Sequence, residues 1–79
     1  MSDATSLSLP GLGPDAADGF RFTWWNTRDG ARVWIERRGN WREGIIVGRG
    51  REHVEVLIAS PSGRPVRVRR LYAELRRVR

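Results

Sequence analysis

The sequence predicts one all-β domain, a small barrel of about five short strands with a single helical turn before the last strand. Three observations carry that expectation. From Gly30 onward apolar and polar residues alternate with the period that sends successive side chains to opposite faces of a strand. Short turn signals rich in Gly, Pro, Asn and Ser separate the alternating runs. The chain has 79 residues and no Cys, so one core must form without a disulfide or thiolate–metal staple, and four Trp, two Phe and one Tyr are the residues that bury the most area.

Residues 1–19 hold Ser, Ala, Gly, Pro and Asp, with turn pairs at Pro10-Gly11 and Gly13-Pro14 and no apolar periodicity, which reads as a disordered acidic leader. The run Phe20-Arg21-Phe22-Thr23-Trp24-Trp25 then switches to aromatic residues and reads as a short extra strand or a wrapping arm, with a turn from Asn26 to Gly30. Residues 20–29 are thus the arm and residues 30–79 the barrel. Ala31 to Arg37 is the cleanest strand, with Val33 and Ile35 on one face and Arg32, Trp34 and Glu36 on the other. Arg38-Gly39-Asn40 is a turn of hairpin length. Trp41 to Gly48 follows with a conflicted phase: Trp41, Ile45 and Val47 share a face with Glu43, which predicts a bend or bulge near Gly44.

Gly48-Arg49-Gly50-Arg51 turns the chain into His53 to Ile58, where Val54, Val56 and Ile58 point inward and His53, Glu55 and Leu57 outward. After the turn Ser60-Pro61-Ser62-Gly63, Pro65 to Arg70 sends Val66 and Val68 inward and Arg67 and Arg69 outward. Leu71 to Leu75 is long enough for one helical turn, and Arg76 to Arg79 closes the sheet, removing its open edges. The expected core is Val33, Ile35, Trp41, Val54, Val56, Val66 and Val68.

All basic residues are Arg, and their placement is uneven. Residues 1–20 carry three acids and no Arg, so residues 21–79 hold fifteen Arg against six acids, a net +9. A field of that sign attracts polyanions and acidic partners, and Arg is the side chain suited to phosphate forks and to stacking on rings. No apolar run is long enough for a membrane span and no secretory pattern opens the chain, which leaves a cytoplasmic protein as the expectation. With one His, no Cys and no phosphate-loop or dinucleotide fingerprint, the residues point to binding without catalysis and imply no cofactor and no metal.

Gly30-Ala31-Arg32-Val33, Gly39 to Ile46, Val54-Glu55-Val56 and Tyr72 to Arg76 together resemble the SH3-like barrels of the Tudor and chromatin-reader kind. The resemblance covers about fifty residues and implies a fold, which hosts many functions. Where those readers carry cage aromatics for a methylated cation, this chain has Arg42 and the run Ile58 to Pro61, so the resemblance does not extend to methyl-lysine reading. Arg32-Val33, Trp41 to Gly48 and Ala73-Glu74-Leu75 are also similar to the type II plasmid-encoded dihydrofolate reductases, which would imply a tetramer around one pore. That family's Val-Gln-Ile-Tyr strand corresponds to Val66-Arg67-Val68-Arg69, which lacks the Gln and the Tyr.

The leading expectation is a sequence-tolerant nucleic-acid-binding barrel for DNA or RNA. Trp34 would stack on bases, flanked by Arg32, Arg42 and Arg67, and phosphates would meet Arg49, Arg51, Arg64, Arg67, Arg69 and Arg70. The same arginines also read as a solvated face, and Gly48 to Arg51 as a simple turn. A second expectation is a protein-interaction module that docks on an acidic partner or forms a homo-oligomer through the aromatic arm Phe20, Phe22, Trp24 and Trp25. A reductase of the plasmid type is the third.

Overall fold

The computed structural model describes residues 13–78, and it bears out the all-β class. Five antiparallel strands form one sheet: β1 (Arg32–Arg37), β2 (Asn40–Arg49), β3 (His53–Ala59), β4 (Pro65–Leu71) and β5 (Arg76–Arg77). Two short 3-10 turns, Trp24–Asn26 and Tyr72–Glu74, are the only helical elements among the described residues, the second lying directly before β5 as the sequence predicts. Of the leader, residues 1–12 lie outside the described residues. Residues 13–19 carry side-chain turns in which the Ala17 and Phe20 amides donate to the Asp15 and Asp18 carboxylates.

The strand order is β4-β3-β2-β1-β5, a meander whose last strand returns to pair with the first. The β1–β2 hairpin turns on two residues, Arg38 and Gly39, with φ of 55° and 80°. Both central residues left-handed is the geometry whose twist matches that of the flanking strands.

One face of the sheet carries the core. Val33, Ile35, Ile46, Val54, Val56, Ile58, Tyr72 and Leu75 are buried, and Phe22, Ala31, Val66 and Val68 pack partly buried against them. The expected inward residues of β1, β3 and β4 all lie on this face. Trp41 does not. Pairing of Val33 with Gly44 and of Ile35 with Arg42 puts Arg42, Gly44 and Ile46 on the core side, and Trp41, Glu43 and Ile45 on the outer one. Trp41 is therefore half-buried outside the core, and Ile45 is exposed. The bulge falls between Ile46 and Gly48, beyond the expected position near Gly44.

The sheet curls but does not close: no ladder joins β4 to β5, so the expected hydrogen-bonded barrel closure is absent among the described residues. The curl follows from the connection. In a flat sheet β4 and β5 would stand four spacings apart, about 19 Å. The stretch Tyr72 to Leu75, one 3-10 turn and an extended step, reaches only about 14 Å. The two edges must therefore bend toward each other, which is also what hides the core face without a second layer. The Arg70 guanidinium crosses the concave side from β4 to donate to the Glu36 carbonyl on β1 at 3.1 Å. The gap between the edges stays too wide for backbone pairing and is filled by the 3-10 turn, whose Tyr72 hydroxyl donates to the Gly50 carbonyl at 2.6 Å.

Candidate nucleic-acid interface

Two stretches that are far apart in sequence, the arm and the β2–β3 turn, meet through one side chain. Arg49 follows the bulge, which shifts the phase of β2 so that Arg49 pairs opposite the buried Val54 and falls on the concave side. From there its Nη1 donates to the carbonyls of Thr27, at 2.6 Å, and Trp24, at 3.0 Å. Its guanidinium lies 4.9 Å from the centre of the Trp24 ring, and its Nε is 3.8 Å from Asp29. The arm side of this junction is built for the contact. Thr23 caps the short 3-10 turn by accepting from the Trp25 amide, and the buried Thr27 hydroxyl donates to the Thr23 carbonyl.

The result is a ledge of aromatic and basic groups. Trp24 and Trp25 meet edge to face at 5.1 Å, and Trp25 is 87% exposed. Trp24, Trp25, Arg49, Gly50 and Arg51 line an open concavity of about 520 Å³. On the far side of the same turn, Arg51, His53, Glu55 and Arg69 help to line another of about 540 Å³. Arg51 stands between the two, exposed and without an ion pair or hydrogen bond among the described residues, while Arg49 is committed to holding the arm.

The other expected site residues are spread over the outer face and the rims. Trp34 is half-buried on the outer face, with Glu43 opposite it on β2 and Arg76 on β5. Arg42 faces the core side and does not flank it. Arg32 pairs with Glu43. Arg32, Ile45, Leu57 and Arg67 form one row across the sheet, so Arg67 lies about 14 Å from Arg32, with two apolar residues between them. Arg67 and Arg69 both turn to Glu55, at 2.8 Å and 3.9 Å. Arg64 is exposed beside the β3–β4 turn, and Arg70 is spent on backbone carbonyls. Of the arm, Phe22 packs on the core and Phe20, itself exposed, meets it edge to face at 5.0 Å, while Trp24 and Trp25 are the more exposed pair.

Sequence reading did not assign to a site a group along β5: on the outer face Trp41 has Arg76 6.0 Å from its ring, and on the core side, opposite Val33, Arg77 pairs with Asp18. The shared phase of Trp41 and Glu43 was the signal for it. Among the described residues no three His, Asp or Glu side chains gather as a metal ion would require, and no helix is long and apolar enough to cross a membrane. No protein-family model, curated protein or solved structure matches this chain.

Proposed function

We propose that the protein is a binding module for single-stranded nucleic acid, with Trp25 as the stacking surface and Arg51 as the leading phosphate contact. The observation that carries this reading is the near-complete exposure of Trp25 beside Arg51, an arginine with no partner among the described residues. A large aromatic left in water is costly unless a partner covers it, and an Arg next to a ring serves a base and its phosphate together. The net +9 of residues 21–79 supplies the long-range attraction. The reading includes an SH3-like ancestry for the sheet, supported by the return of β5 to β1, and a cytoplasmic setting where nucleic acid is met.

Anisotropy titrations of labelled single- and double-stranded oligonucleotides across a salt series test it. Single strands should bind more tightly, with Trp quenching. Trp25→Ala should weaken them about 5- to 150-fold, from about 1–3 kcal/mol of stacking per base. Arg51→Ala should lower the salt slope by about 0.7. Equal affinity of wild type and Trp25→Ala would overturn the reading.

A second reading, self-association or protein docking, is favoured by the exposure of Ile45 on the outer face, where it pairs opposite Leu57. A concentration-dependent mass in light scattering would support it, and a constant monomer mass would remove self-association.

A further inference from the structure

Among the described residues arginines and aromatic rings also meet away from Trp24, on the two faces of β5. Residues 13–19 lie against both. The Arg77 guanidinium donates through Nε and Nη2 to the two carboxylate oxygens of Asp18, at 3.1 Å and 3.0 Å. It lies 4.5 Å from the centre of the Phe20 ring. Next to it, Arg76 reaches over Trp41 while its Nη1 is fixed by the carbonyls of Ala73 and Leu75. Gly13 rests on Trp41 so closely that an added Cβ would stand 3.2 Å from the ring. A two-pronged guanidinium grips a carboxylate and a phosphate in the same way. The segment that meets these groups comes from the part of the chain with acids and no Arg, while the arginines and Trp41 that it meets belong to the +9 part.

We propose that Arg77, with Phe20 beside it, forms a second phosphodiester-binding site, which the chain's own acidic leader occupies with the Asp18 carboxylate in the place of a phosphate. This rests on the nucleic-acid reading above and adds an internal competitor to it. A bound strand that reaches β5 must displace residues 13–19, and Arg77 then exchanges a carboxylate for a phosphate with no gain in released counterions. Removing the carboxylate's charge turns the same contact into a counterion-releasing one. A strap with a purely structural role differs in its signature: loss of the Asp18 charge would change stability and leave binding alone.

Asp18→Asn is the informative variant, because the amide retains an oxygen to accept from the Phe20 amide, now 3.0 Å from the carboxylate. One additional phosphate contact on a single strand adds about 0.7 to the salt slope, hence a gain of about eightfold near 50 mM salt that shrinks below about twofold near 0.5 M. Adding Arg77→Ala to Asp18→Asn should return both slope and affinity to wild type. Titration with a single-stranded oligonucleotide and, separately, with inorganic polyphosphate, which has no bases, separates the two proposals. Wild-type affinity and slope in Asp18→Asn, with Trp25→Ala still weakened, would overturn the internal competitor and keep the nucleic-acid reading. Tighter polyphosphate binding by Asp18→Asn, with no effect of Trp25→Ala on the oligonucleotide, would keep the Arg77 site and overturn the stacking role.

Discussion

Alanine at Gly44 would place its methyl carbon 2.5 Å from Val56 Cγ1, 2.6 Å from Ile58 Cγ2 and 2.8 Å from the Leu57 carbonyl oxygen. Two of these neighbours are branched, buried side chains and the third is backbone of the paired strand, so none can swing away as a flexible chain end would. Gly44 is itself buried on β2, opposite Val33 of β1 and Ile58 of β3. Overpacking at such a site costs about 1–3 kcal/mol, and a fixed backbone neighbour favours the upper part of that range. In a domain of this size each kcal/mol shifts the melting temperature by about 4–8 °C, so a loss of about 2–3 kcal/mol should make Gly44→Ala melt about 8–24 °C lower. Gly48 on the same strand is the matched control. Its added Cβ would meet only Glu55, at 3.7 Å, and its φ is not left-handed. Gly48→Ala should be neutral or gain about 0.4–1 kcal/mol by restricting the unfolded chain. Thermal unfolding followed by circular dichroism reads both variants. Equal melting temperatures for the two, or a lower one for Gly48→Ala, would refute the register in which Gly44 faces the core.

Two further outcomes follow from the contacts around the β2–β3 turn. Tyr72→Phe removes the hydroxyl that donates to the Gly50 carbonyl, and because Gly50 is exposed the carbonyl regains water, so the loss in denaturant unfolding should stay near 0.5–1.5 kcal/mol, roughly that of a single hydrogen bond. Arg49→Ala removes both carbonyl contacts and the cation over Trp24, and should lower stability by about 1–2 kcal/mol while weakening the near-ultraviolet dichroism of the Trp pair. An unchanged Trp signal in that variant would show that the arm is held by other contacts.

Strands β1, β3 and β4 were legible because their alternation is clean: Val33 and Ile35, then Val54, Val56 and Ile58, then Val66 and Val68 recur at every second position. On β2 the same rule misleads. Its bulky apolar residues Trp41 and Ile45 lie outside, while its core face carries Arg42, Gly44 and Ile46. Gly44 is small because Val56 and Ile58 fill the space, a reason that lies on another strand. Closure was not legible either, since it depends on how near two sheet edges come once the core is packed. For the candidate site, composition singled out the arm and the Gly48 to Arg51 turn separately. Their meeting depends on the bulge that turns Arg49 to the concave side, a register shift that alternation cannot locate to the residue.

The return of β5 to β1 also sets an order in time. The pairings of β1 with β2, β2 with β3 and β3 with β4 each join neighbours in the chain and close short loops, whereas Val33 meets Arg77 only after everything between them has been laid down. Long-range pairings are slow because the entropy of closing the loop is lost before any contact is gained. Until β5 arrives, the outer edge of β1 stands open to any other extended chain, and the Asp18–Arg77 contact that seats the leader cannot form. During synthesis the first strand thus waits for the last, and a chain cut short before Arg76 would keep the outer edge of β1 exposed.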